Sequence, residues 1–332
     1  MSGRLDLRRG TVVAADPLVV EVDGERRRAW ADEALLGEMR VGDEVVVNAA
    51  ALDLGLGSGG FDVVHVNLTR GLGGGVEGDA HVMKLNYTSL QHPVDPVGGS
   101  AGEERRAVPV AVLPLHGHLA PAAWAAARAR PGIRVGYVQT AGGALPGSLS
   151  RDVVELRDRD LLCGHVTAAP SYGGEHEALS TVGALDAAAS GLGWDAILVG
   201  PGPGIIGSDT ELGHGGMEAL NSAHAALSLG LPTVISPRLS AGDPRERHRG
   251  LSHHTATVLR LLLAPVTVAV PEGAPEIDPG RHRLERVGVD LDGYVASGLP
   301  TTTMGRRLED DRLFFEAPLA AGARLVASGG ID

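Results

Sequence analysis

The chain has 332 residues, 43% of them hydrophobic, which is long enough for a substantial core and, at ordinary domain sizes, for two domains. Its formal net charge of -12 argues against a sequence-independent nucleic-acid binder, whose affinity would come from cations set against phosphates. The one cysteine, Cys163, excludes an intramolecular disulfide and a cysteine-based zinc cluster and fits a reducing cytosol.

Along the chain, residues 1–105 read as a β-rich module and 106–332 as an α/β domain. The start "MSGRLDLRRG" lacks the apolar core of a signal peptide. "PLVVEV" and "ERRRAW" flank Asp23-Gly24, a pair that readily takes the positive φ angles of a hairpin turn. "VGDEVVVN", "FDVVHVNL" and "HVMKLNYTSL" add strands, so a small barrel or sandwich is expected. "GLGGGVEGD" reads as a flexible connection and "PVDPVGGSAGEERRA" as a linker, being rich in Gly and Pro and then charged.

From residue 108 short apolar runs alternate with helical ones, the mark of βαβ units and of a doubly wound, mainly parallel sheet. The strands are "PVAVLPL", "IRVGYVQT", "HVTAAP", "DAILVG", "PTVISP" and "PVTVAV". Between them lie helices in "APAAWAAARAR", "SLSRDVVELRDRDLL", "EHEALSTVGALDAAASGL", "GMEALNSAHAALSLG" and "SHHTATVLRLLL". The tail adds "HRLERVGV" as strand and "EDDRLFFEAPLAAGARLVA" as helix. The most apolar stretch, 261–270, is interrupted by a proline and too short to span a bilayer.

Ligands of such sheets bind beyond the carboxyl ends of the strands, where loops meet helix N-termini. His116, His118, His176, His214, His248, His253 and His254 all fall in the loops expected at that edge or in the turns just after them. Ser252 reads as an N-cap, placing His253 and His254 in a first helical turn whose dipole favours neutral imidazole. Neutral rings can act as bases or metal ligands. His214 and Glu218, four apart, form a candidate metal pair on one helical face with His253 as a further ligand, unless Gly215 and Gly216 delay the helix. His224 lies on an apolar stripe and reads as a satisfied core histidine.

"GPGIIG" matches a dinucleotide fingerprint, but a helix should open within that motif, whereas here the chain runs on through "SDTELGHGG". Gly202, Gly204 and Gly207 are therefore read as a loop whose backbone approaches a ligand, with Asp209, Glu211 and Asp243 as its acids. Arg238, Arg245, Arg247 and Arg249 offer an anion site, although Asp243 and Glu246 lie among them as internal partners. Arginine is weighed lightly, because Lys84 is the lone lysine among 29 Lys and Arg residues, as in a chain from a GC-rich genome.

"GPGPGIIGSDTELGHGG", "SPRLSAGDPRERHRGLSHHT" and "TTTMGR", with "VNAAALDLGLGSGGFDVVHVNL" and "MKLNYTSLQ" in the β region, resemble an uncharacterised bacterial family catalogued only as a domain of unknown function. The resemblance spans nearly the whole chain and implies no activity, cofactor or catalytic residue.

Read from its residues, the chain is expected to be a cytosolic enzyme acting by hydrolysis or proton transfer on a small anionic metabolite, with a divalent metal as the one cofactor in view. His253 or His254 would be base or ligand, His214 and Asp209 would assist, and Arg245 or Arg249, with His116, His118 and Asp243 nearby, would hold the anion. The competing reading is a non-catalytic sensor or adaptor that binds a nucleotide-like ligand at the same loops. Neither nucleic acid nor membrane is an expected partner, whereas the β module could serve as lid or dimer surface in a homo-oligomer.

Overall fold

The first strand, β1 (Leu7–Ala15), pairs antiparallel with β2 (Leu18–Val22), which turns into β3 (Glu25–Trp30). Asp23 and Gly24 take φ angles of 53° and 82° at that turn, the positive values a type I′ hairpin requires. Helix α1 (Glu33–Leu36), β4 (Glu44–Asn48), α2 (Ala50–Asp53) and β5 (Asp62–Asn67) follow. The strands close into a barrel in the order β1-β2-β3-β5-β4. Its interior is filled by Val12, Val20, Val22, Val45, Val47 and Val64, which strand alternation points to one side. Closure leaves no open edge and settles the choice between barrel and sandwich.

The computed structural model describes residues 5–56, 59–74, 80–98, 106–208 and 210–327. Asp209, the central part of the linker (99–105) and most of "GLGGGVEGD" (75–79) lie outside the described residues. The chain divides into compact units Met1–His81 and Val82–Asp332.

The second unit opens with a short antiparallel pair, β6 (Val82–Lys84) and β7 (His92–Val94). The strand expected across "HVMKLNYTSL" stops at Lys84, because Leu85 and Tyr87 take left-handed φ angles of 49° and 61°. In chain order there follow β8 (Val110–Val112), α3 (Leu119–Ala129), β9 (Val135–Thr140), α4 (Arg151–Asp158), β10 (Gly164–Ala168), β11 (His176–Ala178), α5 (Thr181–Ser190) and β12 (Ala196–Pro201). Then come α6 (Glu218–Ser228), β13 (Thr233–Ile235), β14 (Leu239–Ser240), β15 (Gly250–Leu251), α7 (His253–Leu261), β16 (Thr267–Pro271), β17 (Arg283–Val287), α8 (Leu291–Ala296), β18 (Thr302–Thr303), β19 (Arg306–Arg307) and α9 (Arg312–Ala327).

Eight of these strands form one sheet in the order β11-β10-β9-β12-β8-β13-β16-β17, every adjacent pair parallel. Alternate residues feed opposite faces. Val110, Val112, Ile197 and Val199 pack with Ala184, Leu185, Ala223 and Val258 of α5, α6 and α7. Ala111, Tyr137, Ala196 and Leu198 pack with Leu119, Ala123, Leu156 and Phe314 of α3, α4 and α9. Both faces are thus covered, which is why the central strands, unlike the edge strands β11 and β17, are largely apolar.

This topology makes a crevice. From β8 the chain leaves for α3 on one face, whereas its neighbours β12 and β13 lead to α6 and α7 on the other. Where adjacent connections diverge in this way, the loops part at the carboxyl edge.

One stretch expected to be helical is not. His176–Ala178 pairs parallel with Val166–Ala168 as an edge strand, and the helix begins only at Thr181, capped by the Ser180 hydroxyl, which accepts from Gly183 N at 3.1 Å. The reason is tertiary. The buried Lys84 ammonium donates to the Thr167 and Ser171 carbonyls at 2.8 and 2.6 Å and to the Glu177 carboxylate, tying β11 against β10. His176 therefore sits in a strand and not in a cleft loop.

Candidate functional site

A cleft of about 670 Å3 opens where the connections diverge. It takes Leu115–Gly117 from the loop after β8, Gly204–Ser208 and His214 from the loop after β12, and Arg238, Arg245, Arg247, His248 and His254 from the segment after β13. Thr303, Met304 and Phe314 of the tail close it.

The segment after β13 is folded around Asp243. Strands β14 and β15 pair antiparallel and hold the ends of the charged loop together. Inside it Asp243 is fully buried. Arg245 donates from Nε and Nη2 to both carboxylate oxygens, each at 3.0 Å. Arg238 donates from Nη2 at 3.0 Å, and Arg306 stands 3.6 Å away. Arg306 also donates from Nε to Asp311 at 3.1 Å, and Asp311 in turn accepts from the Ser240 hydroxyl at 2.6 Å. The hydrogen bonds from Arg245 and the surrounding guanidiniums hold the Asp243 carboxyl well below the usual range against the opposing effect of burial. Burial pulls buried Arg238 down to about 10, with Asp243 opposing.

Asp243 is therefore the hub of an ion cluster and does not reach the cleft. Arg249 spends its Nε on the Asp243 carbonyl at 3.0 Å and is absent from the cleft wall. Arg245 is paired as well, yet lines the cleft. Arg238 lines it too, with a buried Nε that has no acceptor.

His214, His248 and His254 line the cleft, and His253, which does not line it, packs beside them. The Ser252 hydroxyl caps α7 by accepting from His254 N at 3.3 Å, which sets His253 and His254 in the first turn. The rings of His214 and His254 stack with centroids 3.5 Å apart and an interplanar angle of 11°. His253 stands edge-on to His254 at 4.3 Å. His248, its Nδ1 2.7 Å from the Ser252 hydroxyl oxygen, packs against both rings of the first turn.

Burial lowers all four rings from the ordinary imidazole value. It takes His248 to about 3, Arg238 adding to the effect, and His254 to about 2, with His214 the next cause. The close stack of His214 on His254 acts in the same direction, since two imidazolium ions face to face would repel.

His214 does not share a helical face with Glu218. It lies in extended backbone (φ -146°, ψ 150°) before a 3-10 turn at Gly215–Met217, and α6 starts only at Glu218. The two glycines delay the helix, so the i, i+4 register is lost; Glu218 accepts instead from Asn221 Nδ2 at 3.1 Å. The metal-type trio among the described residues is His214, His253 and His254.

His116 reaches the cleft. Its Nδ1 donates to the Pro201 carbonyl at 3.2 Å, so Nε2 is free to accept from the Ser150 hydroxyl at 2.7 Å. His118 lies behind the wall, fully buried, with Nδ1 2.9 Å from the Ser236 hydroxyl oxygen and its ring edge-on to Phe314. Gly204 and Gly207 line the cleft, whereas Gly202 packs against Ala144 and Gln139. Glu211 pairs with Arg260, and its carbonyl contacts His214. His224 accepts from Leu263 N at 3.2 Å and is thus satisfied, but it is half-buried and not the core residue expected.

A family model described as "Protein of unknown function (DUF3866)" matches residues 28–322. The chain belongs to this family. No curated protein and no solved structure matches it. The matched span holds every residue of the cleft and of the ion cluster beneath it. Among the described residues no helix is long and apolar enough to cross a membrane.

Sequence reasoning passed over Arg306 and Asp311, which complete the ion cluster from more than fifty residues downstream, and no local pattern joins them to Asp243. It also missed Ser150. The signal there was the N-cap position before "RDVVEL", where the hydroxyl accepts from Val153 N at 3.1 Å.

Proposed function

We propose that the protein is a cytosolic enzyme that binds a small anionic metabolite in this cleft and acts on it by hydrolysis or another proton-transfer reaction. One observation carries the reading. In a chain of net charge -12, the described cleft wall holds three arginines (Arg238, Arg245, Arg247) and four histidines (His116, His214, His248, His254) and no carboxylate.

Such a wall draws an anion inward. Arg245 spends the Nε–Nη2 edge of its guanidinium on Asp243, which orients its remaining N–H donors, and preorganisation lowers the ordering cost of binding. The rings offer unprotonated nitrogens in a sheltered space, which can accept a hydrogen bond from a bound water or substrate and orient it. The diverging loops bring anion-holding groups and unprotonated rings to one cavity, which favours catalysis over simple capture.

The test is substrate consumption. The protein is incubated with a panel of small phosphorylated and carboxylated metabolites, with and without added divalent metal, and the mixture is followed by mass spectrometry. At least one compound should be consumed by the wild type and spared by the Arg245→Met variant, with binding weakened at least tenfold, or about 1.4 kcal/mol. A panel bound but chemically unchanged would refute catalysis in favour of a sensor. A panel neither bound nor changed would refute the anion site.

A further inference from the structure

We propose that His214, His253 and His254 form a site for a single divalent transition-metal ion, of the zinc class, held by Nδ1 of His214, Nε2 of His253 and Nδ1 of His254. The inference goes beyond the proposed reaction, because such an ion could be bound whether or not the cleft turns over a substrate.

The first ground is three buried ring nitrogens without partners. Each of these nitrogens is buried and without a hydrogen-bond partner, although a buried polar atom left unpaired is costly and calls for an explanation. Three such atoms in one place, on rings that each offer one ligand atom within 4.8 Å of the others, share a single remedy. A cation at their centre satisfies all three at once.

The second ground is the tautomer of His214. Its Nε2 lies 3.0 Å from the Glu211 carbonyl oxygen, and a carbonyl can only accept. The proton is therefore on Nε2 and the lone pair on Nδ1. An outward hydrogen bond of this kind is what fixes ring orientation in histidine metal sites.

The third ground is space. Gly216 follows His214 by two residues, and a Cβ built on it would fall 3.0 Å from Nδ1 of His214 and 3.2 Å from Nδ1 of His254. The missing methyl leaves a gap bordered by two of the three proposed ligand atoms. Metal–nitrogen bonds of about 2.1 Å would draw the three nitrogens to about 3.4 Å from one another, and the near-parallel rings of His214 and His254 would have to turn out of their stack for both lone pairs to meet one ion.

The donor set selects the ion. Three imidazoles without a carboxylate suit zinc, cobalt or nickel and disfavour magnesium and calcium, which take oxygen ligands. Neutral ligands leave the ion its full charge, and three of them leave a coordination position open. The nearby arginines oppose a bare dication, so an anion drawn in by those arginines, or a hydroxide, is the natural fourth ligand.

The test uses the full chain, stripped with a chelator, dialysed and titrated with cobalt(II) while the visible d–d absorption is recorded. One equivalent per chain is expected to bind with micromolar affinity or better, giving the bands of a low-coordinate nitrogen site, and zinc should displace it. His214→Ala and His254→Ala should each weaken binding at least about 100-fold, the upper end of the cost of losing even an outer-shell partner. Gly216→Ala keeps every ring and fills the gap, and should weaken binding at least tenfold while circular dichroism stays unchanged; His224→Ala should bind as the wild type does. Absence of cobalt binding at millimolar concentration would overturn the proposal. So would unchanged affinity in the folded Gly216→Ala protein or in the His214→Ala/His254→Ala double variant.

Discussion

Lowering the pH from 7 to 5 should destabilise the second unit, and two histidines outside the proposed metal site set a floor on the effect. His118 and His165 are 0% and 3% exposed, and burial lowers each to about 3, with Arg238 adding to it for His118 and His116 for His165. In the unfolded chain both titrate near about 6.5. Because the folded value is depressed, the unfolded state binds more protons between these limits. Stability is then complete above about pH 7, falls as the pH drops through 6.5, and keeps falling until about pH 3. At pH 5 each ring accounts for about 1.36 kcal/mol for each of 1.5 pH units, or about 2 kcal/mol. Two rings together remove about 4 kcal/mol, a large share of the 5–15 kcal/mol that holds an ordinary domain, as an order of magnitude. Urea unfolding at pH 5, 6, 7 and 8 measures this directly, with Trp30 and Trp124 replaced by Phe so that the buried Trp194 reports. Other depressed rings contribute as well, so the decisive quantity is the difference from a His118→Asn/His165→Gln double variant. Its stability should be flatter by about two protons over pH 5–6. Equal slopes in the two proteins would refute the reasoning.

Lys84→Met should cost about 3–5 kcal/mol in urea unfolding, because it strands the Glu177 carboxylate that the ammonium now neutralises; the Lys84→Met/Glu177→Gln double variant should recover part of that loss, and additive losses would contradict the pairing. Asp243→Asn should destabilise the second unit by a similar amount, about 3–5 kcal/mol, since the buried Arg238 loses its counter-charge; a thermal melt within one or two degrees of wild type would show that the ion cluster is dispensable. Ser252→Ala should cost about 1–2 kcal/mol through the lost N-cap of α7 and the lost partner of His248, and amide exchange at His254 should quicken first, which uniform exchange across the helix would contradict.

Much of the architecture was legible because it rests on local chemistry. The Asp23-Gly24 turn needs only the tolerance of those residues for positive φ. The central strands of the large sheet announce themselves as apolar runs because both their faces are covered. The cap at Ser252 is a property of four consecutive residues, and it located His253 and His254 correctly in a first helical turn. The parallel order of the sheet then placed the loops after β8, β12 and β13 at one edge.

Other features were settled only when distant segments met. "EHEALS" has the composition of a helix start, yet His176–Ala178 became a strand because Lys84, some ninety residues earlier, draws Glu177 toward β10. Composition likewise assigned Asp243 and Arg249 to ligand binding, whereas Arg238, Arg306 and the backbone itself claim them as internal partners. The sequence determined by itself the Asp23-Gly24 turn, the Ser252 cap, the apolar central strands and which residue types crowd one edge, since these follow from backbone preference and periodicity within a few residues. The tertiary structure alone decided which nitrogen atoms are left without partners. That property depends on every group within hydrogen-bond reach, and those of His214, His253 and His254 come from the connections of two strands that share no edge with each other, β12 and β13, on either side of β8.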